Sequence, residues 1–421
     1  MRGRLPTLLP EEPRRTLVLI AAVTVFAAMF RFPGLGYPAE EYFDEVYHAK
    51  TALQYLHGES PIEWVHPPTA KLLIAVGVWL FGYDPWAWRL APAFAGTLIA
   101  PVFLLLARRA LATERAALLA TALLLLDGVY LVQSRVAMTN VFAVLFQLLA
   151  ALLVLRASGM ERLSFAAMAA AGAALGLALS TRWTSLWAGA FLGLVFLVLR
   201  GSRAFRPREL ALGALAFALV PALIYLLSYV PWMRQGHSLA EVVTLQRDIW
   251  GYHANLRATH TYFSPWWTWP WLYRPTWYFW WSGDDVVRGI VALGNPALWW
   301  AAVPAAGWAL VTGARQRSPR RLFAGAGFFL LYLPWGLSPR TLNFSHYLFE
   351  AMPYACLALG TILDRAWNGR FSLLARSYLA LVATLFVLFL PFLVAMTVPT
   401  WLWGLRFPGG AGLWTWFPSW I

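Results

Sequence analysis

Residues 40–71 read EEYFDEVYHAKTALQYLHGESPIEWVHPPTAK. This stretch is too polar to cross a bilayer, yet it lies between two apolar segments, 17–36 and 86–107, that are long enough to do so. It predicts a loop at the membrane surface where a carboxylate meets a substrate arriving from water. The alternative is an ordinary solvated loop whose Asp44 and Glu45 cap the following helix.

The rest of the chain has the composition of an all-α polytopic membrane protein. Of its 421 residues 60% are hydrophobic and only 12% are charged, which excludes an ordinary soluble globular domain. Apolar stretches of roughly 17 to 24 residues, each about long enough to cross the hydrocarbon, predict about 11 transmembrane helices. They lie at 17–36, 86–107, 114–132, 139–155, 163–181, 183–199, 210–230, 295–312, 321–337, 345–363 and 376–398.

The formal charge of +14 could indicate a nucleic-acid partner, but its distribution along the chain argues against one. With the N-terminus in the cytoplasm, the predicted cytoplasmic segments hold 20 basic and six acidic residues, while the other 13 basic and 13 acidic residues cancel. The excess is therefore the positive-inside pattern of a membrane protein, and no nucleic acid is expected. The first apolar segment is interpreted as a retained signal anchor.

This topology divides the chain into five parts. They are a cytoplasmic N-terminus (1–16), an N-terminal membrane bundle (17–230) carrying a first external loop (37–85), a large external loop (231–294), C-terminal membrane helices (295–398) and an external aromatic tail (399–421). Amphipathic helices are expected in both external loops. The apolar stretch after HPPTAK is too short to span, so it predicts a re-entrant or interfacial helix, and the tryptophans of the tail indicate an interfacial belt.

Several ionisable residues fall inside or at the outer ends of the predicted spans. Each costs about 2.5 to 3.5 kcal/mol on insertion scales, so each needs a reason to be there. Pairing across helices or snorkelling to the surface explains any one of them, whereas several in one leaflet favour a polar cavity. They are Asp127, Arg135, Arg182, Arg340, His346 and Glu350.

The large loop contains a second polar cluster, formed by His253, Asn255, Arg257 and His260. The pattern predicts a helix there, and because His253 and His260 are seven residues apart they would share one face. Such a face could hydrogen-bond a lipid-linked phosphate or a sugar. A third His or Cys at zinc spacing is missing from this sequence, so no metal site is predicted.

A set of motifs between about residues 40 and 365 resembles the protein O-mannosyltransferase family in its short bacterial form. The motifs are FDEVYHA (43–49), HPPTAK (66–71), DGVYLVQSR (127–135), LGLALSTRW (175–183), YHANLRATHTYFSPWWTWP (252–270), RPTWYFW (274–280) and SHYLFEAMPYACLALG (345–360), in family order. The resemblance implies the GT-C glycosyltransferase fold, with its active site on the extracytoplasmic face of the plasma membrane.

The resemblance also implies a reaction. Mannose would pass from a polyprenyl-phosphate-mannose donor to Ser or Thr of an exported protein, at or near the secretion translocon, with no obligatory cofactor. By motif, Asp44 matches the catalytic base, Glu45 its acidic neighbour and Arg135 the arginine after the QS pair. His66 and Lys71 match the HPP-x-x-K loop.

Two positions depart from the family pattern. Ala70 stands where Gly is common and Asn140 where a second Asp is common, so no role is carried over to either residue. The chain also lacks the extra soluble domain of the fungal and animal enzymes.

The residue types suit this chemistry without the resemblance. A hydroxyl is a poor nucleophile, so a carboxylate must accept its proton, and Asp44 is the candidate while Glu45 could orient the acceptor. One base opposite one leaving group implies inversion at the anomeric carbon. Cations stabilise the departing phosphate; the candidates are Arg135 and Arg182, followed by Arg340, His346 and Lys71. The expected substrate-binding residues are His48, His66, His253, Asn255 and His260.

Two other functions fit parts of the sequence. One is a GT-C enzyme that uses the same kind of donor but glycosylates a lipid or glycan, as aminoarabinose transferases do. The other is a transporter or flippase whose buried charges line a pathway, although inverted halves with broken helices in matching positions are not found in the sequence.

Overall fold

A computed structural model describes residues 13–421, and the chain in it is mainly helical. The first half contains α1 (Pro13–Arg31), α2 (Glu45–His57), α3 (Thr69–Phe81), α4 (Pro85–Ala110), α5 (Glu114–Leu125), α6 (Gly128–Gln133), α7 (Asn140–Ser158), α8 (Phe165–Leu179) and α9 (Ser185–Arg200). The cytoplasmic N-terminus predicted for 1–16 lies largely outside the described residues.

The second half adds a small sheet to the helices. It contains α10 (Pro207–Ala214), α11 (Val220–Ser228), α12 (Val230–Met233), α13 (Leu239–Asn255), β1 (Thr276–Ser282), β2 (Val286–Ala292), α14 (Pro296–Arg315), α15 (Pro319–Tyr332), α16 (Met352–Ala366), α17 (Ser372–Leu393), β3 (Val398–Pro399) and α18 (Thr400–Trp403). A π-helical turn, Leu215–Leu219, joins α10 to α11.

Seven helical segments of the described chain are long and apolar enough to cross a membrane: Pro13–Arg31, Pro85–Ala110, Asn140–Ser158, Ser185–Phe205, Pro207–Ser228, Pro296–Arg315 and Ser372–Leu393. The other four predicted spans correspond to shorter helices. The 114–132 span is interrupted at Asp127, which caps α6 by accepting a hydrogen bond from the Tyr130 amide. A polytopic membrane protein is confirmed, while the number of crossings remains a prediction.

The helices of the bundle pack closely enough that small residues are needed at their contacts. At Gly77 of α3 a side chain would collide with the Ala87 carbonyl of α4, so α3 lies directly against α4. At Gly360 of α16 an added Cβ would lie 2.6 Å from the Ala116 carbonyl of α5. The contact of α3 with α4 holds the first loop against the bundle, because the HPPTAK motif lies at the beginning of α3.

Both external loops contain the expected helices. α2 buries Glu45, His48 and Thr51 and exposes Tyr47, so its inward face is polar rather than apolar. α13 begins with a capping box between Ser238 and Glu241. The 13-residue α3 is also present, whereas its re-entrant placement stays a prediction.

The prediction of one helical face for the polar cluster of the large loop is wrong. α13 ends at Asn255, and the chain is irregular from Leu256 to Pro265. His253 therefore lies on the helix and His260 beyond it, because seven-residue spacing places two side chains on one face only while the helix continues.

The small sheet was not predicted from the sequence. β1 and β2 form an antiparallel hairpin from Thr276↔Ala292 to Ser282↔Val287, and β3 pairs with β2 at Val287↔Val398. The aromatic tail packs on this sheet, with Trp277 Nε1 donating to the Trp420 carbonyl. The sheet joins the large external loop to the last part of the chain, and the five-part division remains a prediction.

Candidate functional site

Asp44 lies in the turn just before α2. The preceding residue, Phe43, has a left-handed backbone (φ 54°), and its ring stacks on Tyr278 with centroids 4.1 Å apart. Asp44 takes the N-cap position of α2, yet its side chain makes no capping bond. Its carboxylate accepts no hydrogen bond from the described residues 13–421, so it is free to accept one from a substrate.

The surroundings of Asp44 suit a proton acceptor. Burial and, secondly, the negative charge of Glu63 raise the pKa of this carboxyl to about 6, against the opposing charges of Arg182 and Arg340. A base is most effective when its pKa lies near the working pH. Asp44 is therefore mostly ionised at pH 7 but basic enough to take a proton from an attacking hydroxyl.

Glu45 belongs to a different part of the structure. It is fully buried and forms a salt bridge with Arg89, Oε2 to Nη2 at 2.8 Å, while Oε1 accepts from the Ala137 amide at 2.9 Å. Arg89 also donates to the carbonyls of Leu35 and Pro38. Glu45 thus ties the first loop to α4 and to the turn before α7, and the structure shows no opening through which a substrate reaches it.

Glu63 belongs to this cluster but was not predicted from the sequence as a site residue. It lies in the loop between α2 and α3, is 6% exposed, and contacts three predicted site residues. His66 Nδ1 lies 2.6 Å and His48 Nδ1 3.9 Å from its carboxylate, and Lys71 donates to the same carboxylate. Its position in PIEWVHPPTAK, three residues before His66 and eight before Lys71, is the signal that could have revealed it.

This arrangement leaves Lys71 no hydrogen for a substrate. Its ammonium donates to the Glu63 carboxylate, to the Glu63 carbonyl at 2.8 Å and to the His66 carbonyl at 2.6 Å. An ammonium has three N–H donors, and all three are used. Although burial favours the neutral acid, the charge of Lys71 and the hydrogen bond with His66 hold the pKa of Glu63 well below its usual range.

His48 and His66 remain close to Asp44 on the inner side of the first loop. Burial lowers the pKa of His48 to about 3, and it also lowers the pKa of His66. His66 is the more exposed of the two, with a quarter of its side chain accessible. Both are expected to be neutral at pH 7, so they can orient hydroxyl groups but contribute little charge to an anion.

The two arginines nearest to Asp44 share one aromatic surface. The guanidinium carbon of Arg182 lies 5.0 Å and that of Arg340 5.9 Å from the ring centre of Tyr347. Arg340 Nε donates to the Leu342 carbonyl, which orients its terminal nitrogens. Within the described chain the Arg182 guanidinium donates no hydrogen bond, so its N–H groups are available to an anion.

His253 connects the large loop to this site. Its Nε2 donates to the Val65 carbonyl at 2.9 Å, which leaves Nδ1 as the acceptor for Arg340 Nη1 at 3.4 Å. Its ring lies 5.4 Å from that of His66. Burial lowers the pKa of His253 to about 4, consistent with this neutral tautomer.

Arg135, another predicted site residue, lies beside the end of α1. Arg135 Nη1 donates to the carbonyls of Phe30, Arg31 and Pro33 and so caps the end of α1. Arg135 was expected to bind phosphate, and three carbonyl acceptors within 3.0 Å give its Nη1 group a capping role. Its Nε and Nη2 donate no hydrogen bond within residues 13–421.

The structure gives three further predicted site residues different surroundings; they are His346, Asn255 and His260. His346 is fully buried among Phe43, Phe344, Tyr278 and Tyr347, with neither ring nitrogen hydrogen-bonded within residues 13–421. Asn255 is exposed and donates to the Gly251 carbonyl of its own helix. His260 is exposed, and its ring lies 5.2 Å from Phe344 at the rim of the site.

The described chain contains no group of three or more His, Cys, Asp or Glu side chains arranged to hold a metal ion. The cluster around Asp44 instead combines one free carboxylate with two arginines. That combination suits a reaction in which a proton is removed on one side and an anion departs on the other.

Comparisons with known proteins identify the family of the chain. Residues 21–88 and 84–234 match the family described as dolichyl-phosphate-mannose-protein mannosyltransferase, and residues 238–406 match the C-terminal four-transmembrane region of protein O-mannosyltransferase. The chain is 29% identical to the polyprenol-phosphate-mannose–protein mannosyltransferase of Mycolicibacterium smegmatis, over 98% of this chain and 94% of that one. It is 27% identical to the Corynebacterium glutamicum protein of the same name, over 95% and 92%.

Solved structures support the fold. The Saccharomyces cerevisiae protein O-mannosyltransferase Pmt1-Pmt2 complex bound to the sugar donor matches with a TM-score of 0.80 at 15% identity, over 94% of this chain and 91% of that one. ArnT from Cupriavidus metallidurans bound to undecaprenyl phosphate matches with a TM-score of 0.56 at 21% identity, over 89% and 70%. The predicted GT-C fold is confirmed.

Proposed function

The chain belongs to the dolichyl-phosphate-mannose-protein mannosyltransferase family, and from that premise we propose that it transfers mannose from polyprenyl-phosphate-mannose to Ser or Thr hydroxyls of exported proteins. The observation that carries the proposal is the unbonded Asp44 carboxylate beside the free guanidinium of Arg182. The donor supplies both the sugar and the leaving group, so the enzyme needs no nucleotide site.

The donor phosphate binds Arg182 and Arg340. Arg135 was a leading candidate by sequence and Lys71 a secondary one. The three donors of Lys71 are occupied by the Glu63 carboxylate and two carbonyls, and Nη1 of Arg135 is occupied by carbonyls at the end of α1. The shared Tyr347 ring holds the two guanidinium groups near each other by cation–π attraction. Two cations at the phosphate stabilise the charge that it gains as the glycosidic bond breaks.

Asp44 acts as the general base. The acceptor oxygen bonds to the anomeric carbon as its proton passes to the Asp44 carboxylate. The bond between that carbon and the phosphate oxygen breaks, and its electron pair leaves with polyprenyl phosphate. Attack opposite the leaving group inverts the anomeric carbon. Glu45 acts through the position of the first loop, since its carboxylate is held by Arg89.

The site is placed at the outer face of the plasma membrane, with the N-terminus in the cytoplasm. Support comes from the basic excess of the predicted cytoplasmic segments and from the polar loops that carry the site. His66 and His253 line the approach to Asp44, where an extended segment of an exported protein could enter. A chain emerging from the secretion translocon is still extended, so its hydroxyls are accessible.

Transfer in membranes tests this proposal. Membranes from cells expressing wild type, Asp44→Asn or Asp84→Asn receive radiolabelled polyprenyl-phosphate-mannose and a Ser/Thr-rich peptide. Asp84 is the matched control, because it also precedes a helix at an external loop, but it caps α4 and lies outside the Asp44 cluster. We expect labelled peptide with wild type and Asp84→Asn and at least a 100-fold loss with Asp44→Asn. Label in a lipid or glycan instead would refute the acceptor assignment.

A further inference from the structure

Glu350 takes no part in the proposed mechanism, yet it is buried beside Arg182. It ends the 3-10 turn Ser345–Glu350, directly before α16, and is 5% exposed. Its Oε1 accepts from Thr184 Oγ at 2.7 Å and its Oε2 from Gln147 Nε2 at 2.8 Å. Arg182 Nε lies 3.7 Å from Oε1, too far for a strong hydrogen bond.

This pair differs from the other buried ion pairs of the chain. Glu63 takes donors of Lys71 directly, and Glu209 accepts from Arg200 Nε at 2.9 Å. In both pairs the cation donates hydrogen bonds directly to the carboxylate. Glu350 instead satisfies its oxygens with two neutral donors, so it attracts Arg182 by charge while the hydrogens of Arg182 stay available.

The partners of Glu350 come from separate elements. Gln147 lies on α7 and also donates to Ser185 at the start of α9, and Thr184 lies two residues after Arg182 in the turn before α9. A carboxylate held from both sides is fixed, and its charge biases the position of the guanidinium next to it. A buried carboxylate is costly in a membrane protein, which indicates a role beyond filling space.

We propose that Glu350 is a positioning residue that holds Arg182 over Tyr347 with its terminal N–H groups directed at the donor phosphate. The proposal rests on the proposed function, since the anion is taken to be the phosphate of a polyprenyl-phosphate sugar. It assigns Glu350 no contact with the substrate. Its effect is expected on donor binding and not on acceptor binding, because Arg182 serves the leaving group.

Kinetics separate this role from a purely structural one. For Glu350→Gln we expect the donor KM to rise about tenfold with the peptide KM unchanged, since displacing a positioned group by about 1 Å can cost up to 100-fold. The control is Glu209→Gln, which also removes the charge of a buried glutamate from an arginine pair, but away from Asp44. It should leave both KM values within about twofold.

A double-mutant cycle tests whether Glu350 acts through Arg182. In an Arg182→Ala background, Glu350→Gln should change the donor KM by less than about twofold, because the group that it positions is gone. An equal rise in both backgrounds would overturn the proposal. Thr184→Val serves as a second variant, since it frees Glu350 without removing its charge. The proposal is also overturned if neither Glu350→Gln nor Thr184→Val raises the donor KM.

Binding without transfer distinguishes this inference from the proposed function. Farnesyl phosphate, a short polyprenyl phosphate, is titrated into the purified full chain and followed by tryptophan fluorescence. Tighter binding by wild type than by Glu350→Gln supports the positioning role even if no peptide is mannosylated. Equal binding by the two proteins, alongside normal transfer by wild type, overturns the role and leaves the proposed function standing.

Discussion

The pH dependence of transfer gives the sharpest test of Asp44. Its pKa is raised from 3.8 to about 6, and a base must be ionised to act. At pH 5 a carboxyl with pKa 6 is about 9% ionised, whereas one with pKa 3.8 is about 94% ionised. We therefore expect kcat/KM to fall about tenfold from pH 8 to pH 5, with a midpoint near pH 6.

Two histidines of the site do not produce this fall. The pKa values of His48 and His253 are lowered to about 3 and about 4, so these residues stay neutral from pH 5 to pH 8. The donor is a phosphodiester, which keeps a single negative charge over that range. Burial lowers the pKa of His66 as well, and Arg340→Gln separates the two groups, because Arg340 acts on the pKa of Asp44.

The assay is initial-rate transfer to peptide at donor concentrations well below KM, from pH 4.5 to 8.5 at constant ionic strength. Arg340→Gln removes a cation that opposes the raised pKa of Asp44, so its midpoint should move to higher pH. The control is Arg257→Gln, a change at an exposed arginine of the large loop. A wild-type plateau that continues down to pH 5 would refute the assignment of Asp44 as a base with a raised pKa.

Three further outcomes are expected from the same contacts. The folded state raises the pKa of Asp44 and therefore favours its neutral acid, so ionisation of this carboxyl destabilises the fold as pH rises through 6. Asp44→Asn should therefore raise the Tm at pH 8 but not at pH 4, measured by thermal denaturation in detergent. Lys71→Met should lower the free energy of unfolding by about 3–5 kcal/mol, because it leaves the buried Glu63 carboxylate without its cation. The donor KM of the folded fraction should not change, because all three N–H donors of Lys71 are already occupied. A tenfold rise in the donor KM would contradict this. Glu45→Gln should lower the free energy of unfolding by a similar amount, and combining it with Arg89→Met should recover part of that stability. Equal transfer per folded molecule by Glu45→Gln and wild type would confirm that Glu45 acts only through position.

The membrane fold follows from local sequence. Long apolar runs determine where helices form, since a span must satisfy its own backbone hydrogen bonds and bury nothing polar in lipid. Two short helices in the first loop and one in the large loop were expected and are present. The hairpin of β1 and β2 was not expected, because its run of tryptophans fits an interfacial loop as well as a strand.

Local motifs contain residues that the structure brings together. His48, His66 and His253 lie close to one another, although 188 residues separate His253 from the Val65 carbonyl that it binds. Arg182 joins them from the turn before α9. The motif order could not show how Asp44 and Glu45 differ. Successive residues at a helix beginning are turned by about 100°, so neighbours in sequence face different surroundings.

The sequence by itself determined that this protein is a membrane-embedded helical bundle with a carboxylate and several cations at one face, because composition and residue type set those properties locally. Only the tertiary structure decided which cations are free. The Lys71 ammonium is fully occupied by Glu63 and the His66 carbonyl, and the Nη1 group of Arg135 is occupied by the end of α1, whereas Arg182 donates no hydrogen bond within residues 13–421. A side chain's availability depends on acceptors brought to it from distant parts of the chain, and sequence spacing does not record those distances.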